Sequence, residues 1–437
     1  MASSRKSKSS LKAALPAAKR IGLALSGGLD SVVLLDTVCK ALKANANDPT
    51  ELWAFHIHHG LQKPADQWLE FCERLAKKYQ VHFDFRLLHF ADPSQGNIEA
   101  RARAERYDAL TDLCIEHGIE DLLLAHHQND QAETVLLQLL RGSGVAGLSG
   151  MPLHRANVNQ GDSITLWRPL LNQSRAELEV YAKECKLKWV EDPSNQNTRY
   201  RRNAIRKEII PRLEKIQPGA IGNLARSATL LAQSQVLLDR LAKLDGKDLF
   251  QGSKLKLAPL LVLAKTDPAA ANNVLRYWLK LNNLAMPSQE RLESWWKDLK
   301  AVKPDSSLEW QHNEVSIYLW RNILQIAHCM TGRWVFQNVP LRSKLLGLPA
   351  DWVNTAEEQC LIEERLRQGA EKLQIKPNTP RKTLKNLYQE SDTPPWERQA
   401  PLLYINDQLV AVAGVGMSYP HLVSVGKRVL PAWLEKP

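Results

Sequence analysis

The chain has 437 residues, 44% hydrophobic and 24% charged, with a formal net charge of +11. This is the mix of a globular protein of about two to four domains, and no run approaches the ~20 apolar residues of a membrane span. Six cysteines, Cys39, Cys72, Cys114, Cys185, Cys329 and Cys360, form no C-x-x-C pair. That argues against a disulfide framework or a zinc site, and for a reducing, cytoplasmic setting.

The basic balance suits a polyanionic partner without requiring one. The first residues are rich in Ser, Ala, Lys and Arg and carry no acid, so 1–18 reads as a disordered basic arm, with a transit peptide as the other reading. Residues 21–25 read as a strand running into a glycine turn. Val32, Leu35, Val38, Cys39 and Leu42 give 31–42 helical spacing. Strands are expected at 52–57, 81–88 and 121–125, and helices at 65–79, 97–117 and 130–140. This alternation predicts an α/β, doubly wound parallel sheet. Ligands of such sheets lie beyond the carboxyl ends of the strands, where loops begin at Ser26, His58 and His126.

A glycine-rich break covers 141–150. Ser174 and Glu177 form a capping box that opens a helix to about residue 186, and a basic helix is expected at 199–215. Helical spacing then recurs at 220–242, 274–283 and 289–299. A turn at 303–307 precedes strands at 315–320 and 323–327, and short strands at 402–405 and 409–412 come near the end. The division is an arm (1–18), an α/β domain (19–218), a small mainly helical central domain (219–335) and a C-terminal α+β domain (336–437).

Ser26-Gly-Gly-Leu-Asp-Ser31 links the first strand to the first helix. Paired glycines let the backbone approach an anion, and the helix start adds free N–H groups and a positive dipole end. No Lys follows, so this is not a Walker A loop. Asp30 either caps the helix or, beside phosphates, holds Mg²⁺ or a proton. The hexapeptide resembles the PP-loop of the N-type ATP pyrophosphatases. That likeness implies cleavage of ATP to AMP and pyrophosphate, with ATP contacts at Ser26, Gly27, Gly28, Leu29, Asp30 and Ser31, and Mg²⁺ at Asp30.

Further segments narrow the resemblance. They are His56-Ile-His-His-Gly-Leu61, Glu99 to Tyr107, Leu124-Ala-His-His-Gln-Asn-Asp-Gln-Ala-Glu-Thr134 with Arg141-Gly-Ser-Gly144, Glu191-Asp-Pro-Ser-Asn195 and Arg202-Asn-Ala-Ile-Arg206. Near the end stand Arg381 to Leu387, Pro394-Pro-Trp-Glu-Arg398 and Val412 to Gly416. Together they resemble the tRNA(Ile)-lysidine synthetase family over essentially the whole chain. The resemblance implies that the wobble cytidine of a CAU-anticodon tRNA(Ile) is adenylated on its C2 oxygen. Free L-lysine then displaces AMP to give lysidine. It implies no membrane partner and admits a homodimer.

This chemistry sets demands. Lysine's amine has a reference pKa of ~10.4, so presenting it neutral at pH 7 costs about 4.6 kcal/mol. Charge building at the α-phosphate needs Arg or a metal. Arg103 and Arg106 share a helix face; the residues alone fit a solvated basic face, whereas the resemblance puts Arg103 at the nucleotide or adenylated base and Arg106 among the substrate contacts. Asp130 is a helix cap or, as the resemblance implies, the carboxylate that binds lysine or moves its proton. His126 contacts phosphate, orients the base or simply packs. The family commonly has Asp-Asp where this chain has Asn129-Asp130, and Arg where Gln62-Lys63 stands. His56, His58 and His59 read as pocket lining rather than a metal cluster.

For tRNA the candidates are Arg199, Arg202, Asn203 and Arg206, with Tyr200 for stacking and Lys382, Lys385 and Arg398 for distal phosphates. Trp396 reads as core. The nearest rival, an RNA thiolase, would need thiol chemistry that no C-x-x-C supports. A glutamine-dependent synthetase would need a glutaminase cysteine. A non-catalytic RNA binder would have no use for an intact PP-loop.

Overall fold

The computed structural model describes residues 15–44, 49–58, 65–88, 98–159, 162–191, 198–199, 201–302, 308–313, 315–327 and 332–435. The arm up to residue 14, His59 to Lys63, Asn97, Asp192 to Asn195, Tyr200 and the 303–307 turn lie outside these residues. The chain divides into two compact units, Met1–Leu238 and Asp239–Pro437, with the boundary inside the helix Ala220–Asp245.

The first unit is built on six strands: β1 (Arg20–Ala24), β2 (Glu51–His58), β3 (His82–Leu87), β4 (Asp121–Leu123), β5 (His154–Asn159) and β6 (Asp162–Trp167). Their order is β3-β2-β1-β4-β6-β5, and every pairing is parallel except β5 with β6. The connecting helices are α1 (Leu29–Ala44), α2 (Ala65–Tyr79), α3 (Ile98–Glu116), α4 (Gln128–Leu139) and α5 (Arg175–Glu184).

Central strands buried on both faces need continuous apolar runs, and β1 supplies one in Ile21 to Leu23. Successive side chains alternate, so Leu123 joins one core with Leu34, Cys72 and Leu178, while Leu122 joins the other with Leu113 and Leu166. Helices cover both faces, as the alternation predicts. The β5–β6 hairpin was not expected. In its edge strand His154–Asn159 the residues His154, Arg155 and Ala156 are exposed, so no apolar alternation announces it.

The basic stretch forms one continuous helix in three parts: Arg201–Ala204, a π-helical turn at Ile205–Ile209 and Ile210–Ile216. Such wide turns are rare and concentrate at functional sites.

In the second unit the helices Leu257–Thr266, Pro268–Leu281 and Gln289–Ala301 pack on a five-stranded antiparallel sheet around Trp278, Trp295 and Trp310. The strands at Val315–Trp320 and Ile323–Ala327 belong to it. Farther on, Gly332–Val339 pairs with Arg428–Glu435, and a four-stranded sheet carries Leu402–Ile405 and Gln408–Val412. Trp396 stacks on Tyr318 at 4.2 Å, and Arg321 pairs with Asp392. No helix among the described residues is long and apolar enough to cross a membrane.

Candidate active site

Ser26 to Ser31 sits at the carboxyl end of β1. Gly27 has φ +83°, a left-handed conformation that disfavours any Cβ. A Cβ there would also stand 3.0 Å from Val190 Cγ2 and 3.1 Å from Cys72 Sγ. The Gly27 carbonyl accepts from Val190 N–H at 3.0 Å, tying the loop to the segment after α5. Ser31 Oγ donates to the Gly28 carbonyl at 2.9 Å and lies 3.1 Å from Ser26 Oγ. The loop is thus fixed from within, with two hydroxyls at its mouth. His56 is buried, and its Nδ1 lies 2.9 Å from the Leu25 carbonyl, bracing the loop's base. Burial lowers its pKa, so the ring is neutral and donates Nδ1–H to that carbonyl. His58 pairs instead with Asp66 at 3.0 Å.

Asp30 lies in the first turn of α1. Its Oδ1 is buried without a hydrogen-bond partner, and its Oδ2 is 3.5 Å from Arg175 Nη1 and 3.6 Å from His127 Nε2. His127, with a side chain 1% exposed, precedes α4, and its Nε2 is also 3.5 Å from Asp130 Oδ2. One imidazole therefore separates two carboxylates that come from adjacent strand ends. Asp130 is the third residue of α4 rather than its opening one, and its Oδ2 accepts the His127 backbone N–H at 3.0 Å. Burial would push the Asp130 carboxyl up; His127, Arg202 and that N–H outweigh it and hold the group below its ordinary value.

Glu133, one turn farther on, is fully buried. Arg202 Nε donates to its Oε2 and Arg206 Nε to its Oε1, each at 2.6 Å. Both arginines also reach Asp130 Oδ1, at 2.9 and 3.3 Å. A carboxylate pair spaced i, i+3 on α4 thus meets an arginine pair spaced i, i+4 on the basic helix. The guanidiniums turn inward.

Arg103 and Arg106 flank Tyr107 on α3. Arg103 Nη2 donates to its hydroxyl at 3.2 Å, and Arg106 lies 6.0 Å from the ring centroid. Burial, with Arg103 and Arg202 nearby, lowers the Arg106 pKa. Burial also pushes His126 down to about 3, so it is a neutral imidazole. Arg398 donates to the Thr393 carbonyl at 2.8 Å, and Lys382 pairs with Glu390 at 2.6 Å. The structure brings Asp30, Asp130, Arg202 and Arg206 together, with Arg103, Arg106 and His126 electrostatically close. Lys382 and Arg398 belong to the other unit. His127, Glu133 and Arg175 were not singled out from sequence as site residues. The paired spacing of Asp130/Glu133 and Arg202/Arg206 was the available signal for Glu133.

Residues 2–213 match a PP-loop domain, 259–324 a TilS substrate binding domain and 362–428 a TilS substrate C-terminal domain. The tRNA(Ile)-lysidine synthase of Burkholderia pseudomallei is 34% identical over 93% of this chain and 90% of its own length. That of Ralstonia nicotianae is 36% identical over 95% and 92%, and that of Coxiella burnetii 34% over 90% and 88%. The chain belongs to the tRNA(Ile)-lysidine synthase family. It is an ATP-using ligase that modifies tRNA(Ile). The thiolase reading has less support. Cys39, Cys72 and Cys114 are buried, and burial pushes each thiol up to about 12, which disfavours the reactive thiolate.

Proposed function

We propose that this enzyme works in two steps around the Asp30–His127–Asp130 cluster. First the wobble cytidine's C2 oxygen attacks the α-phosphate of ATP and pyrophosphate leaves. Then free lysine's amine attacks C2 and AMP leaves. The observation that carries this reading is one buried imidazole within 3.6 Å of the PP-loop carboxylate and 3.5 Å of the α4 carboxylate.

Backbone N–H groups at the start of α1, with Ser26 and Ser31, hold the pyrophosphate end. The buried, unpartnered Asp30 Oδ1 fits Mg²⁺, and Asp30 would hold it; the metal would offset charge at the leaving group. Arg103 faces the nucleotide or adenylated base, with Arg106 beside it. Asp130 stays ionised, which suits holding the lysine ammonium better than accepting its proton. Its Oδ2 keeps a lone pair beside His127 for that purpose. Arg202 and Arg206 fix the two α4 carboxylates, and Arg199 and Asn203 lie on the same basic segment for contact with RNA. Lys382 and Arg398 serve distal phosphates. The working division is 1–18, 19–218, 219–335 and 336–437, the last two domains binding tRNA. The setting is cytoplasmic and a homodimer is compatible.

The order of steps is tested by leaving lysine out. Enzyme, ATP and CAU-anticodon tRNA should release pyrophosphate and leave AMP attached to the tRNA. Pyrophosphate release that strictly requires lysine would contradict the two-step reading.

A further inference from the structure

Arg168 follows directly on β6 and is 5% exposed. Its Nη1 donates to the Pro152 carbonyl at 2.8 Å, while its Nε is buried with no hydrogen-bond partner. Among the described residues no carboxylate pairs with it. A guanidinium does not give up its proton in a protein, so this is a buried cation without a counter-charge. Burial lowers its pKa, Arg155 and Arg103 add to the effect, and Tyr107 opposes it.

Its neighbours share that surplus. Leu124 N–H donates to the Trp167 carbonyl at 2.8 Å, which sets Arg168 beside the strand end that leads to His126 and His127. Arg103, Tyr107 and Thr111 fall one turn apart on α3, and Asn157 Nδ2 donates to Thr111 Oγ1 at 3.2 Å, holding that face against β5. Neither Arg103 nor Arg106 forms an ion pair among the described residues. His126 Nδ1 is buried without a partner as well. Donors and positive charge thus gather at the carboxyl edge of the sheet, where Arg168 and Arg103 both act on His126.

We propose that Arg168, with Arg103, forms a buried anion site that takes one phosphate group of the substrates. The phosphate is either the α-phosphate of ATP or a backbone phosphate of the RNA beside the target nucleotide. The identity of the substrates rests on the lysidine-forming reading; the anion site itself does not.

The test uses the full chain as wild type, Arg168→Gln and Arg168→Lys. Glutamine keeps a donor for the Pro152 carbonyl and loses the charge; lysine keeps the charge. Affinities are measured for α,β-methylene-ATP alone and for a CAU anticodon stem-loop RNA alone, with melting temperatures alongside. Arg168→Gln should weaken one of the two by about tenfold or more, with Arg168→Lys recovering part of it and no fall in melting temperature. Loss confined to the nucleotide assigns the α-phosphate. Loss confined to the RNA, with the salt slope smaller by about one, assigns the backbone. Unchanged affinities overturn the proposal, as does an equal loss of both with a lowered melting temperature that lysine does not restore. If Arg168→Gln does not fold, Arg168→Met, which also removes the charge, decides: weakened binding of one ligand at unchanged melting supports the site, and unchanged binding overturns it. Lysidine formation by the same wild-type preparation is scored separately, so a failed functional reading is distinguishable from a failed anion site.

Discussion

His127 Nε2 lies 3.6 Å from Asp30 Oδ2, although the two residues belong to different strand–helix units. The contact follows from the sheet: β1 and β4 are neighbours, with Gly22 beside Leu122 and Leu23 beside Leu123, so the loops that leave them end together. Asp30→Asn keeps the shape and removes the charge. AMP formation should fall by about a hundredfold or more, while tRNA affinity stays within about twofold. Filter binding and AMP quantification check this; an equal collapse of tRNA binding would make Asp30 a structural residue.

Glu133 holds two guanidiniums with no solvent to replace it. Glu133→Gln leaves Arg202 and Arg206 short of a buried counter-charge, and loss of one buried partner typically costs about 3–5 kcal/mol. Thermal melting should drop by several degrees, and hydrogen exchange should speed up around Ile205–Ile209. The exposed Arg212→Ala on the same helix should stay within about 0.5 kcal/mol of wild type. Equal melting of Glu133→Gln and wild type would show that the arginines do not depend on this carboxylate.

The two loop glycines make opposite predictions. Gly27→Ala meets a left-handed φ and two close neighbours, so stability should fall by about 1–3 kcal/mol. At Gly28 the nearest heavy atom to an added Cβ is Ser26 Oγ at 3.6 Å, so the fold should tolerate alanine. The methyl would instead take the space left for a phosphate. Gly28→Ala should therefore melt like wild type and show a raised KM for ATP. An unchanged KM would mean that phosphate does not approach this peptide.

His126 gives a pH signature. Its folded value is about 3 and its unfolded value ~6.5, so between these the unfolded chain binds the extra proton. Its contribution to stability is therefore lost as pH falls from ~6.5 toward 3, at roughly 1.4 kcal/mol per pH unit. His126→Gln should flatten that acid limb in urea unfolding at pH 7, 6 and 5. Parallel pH profiles for the two proteins would show that His126 is not the titrating group.

The sequence made the PP-loop legible because its determinants are local: two glycines, two hydroxyls and an acid at a strand–helix junction. Asp130 was legible too, yet as a helix opener, since nothing local reveals that His127 takes the capping position. Glu133 stands three residues after Asp130, and that local spacing says nothing of what it pairs with. Its true partners lie some seventy residues away and arrive through a π-helical turn that spacing does not announce. The parallel strands were readable from apolar runs. The β5–β6 hairpin was not, because an edge strand exposed to water needs no such run.

Weighing the anticodon nucleosides tests the central claim most directly. The protein is incubated with ATP, lysine and a CAU-anticodon tRNA, and the tRNA is then digested. A cytidine heavier by one lysine less one water, dependent on both ATP and lysine, is the predicted result. Sulfur on a base, or an unmodified cytidine from folded and ATP-binding protein, would contradict it.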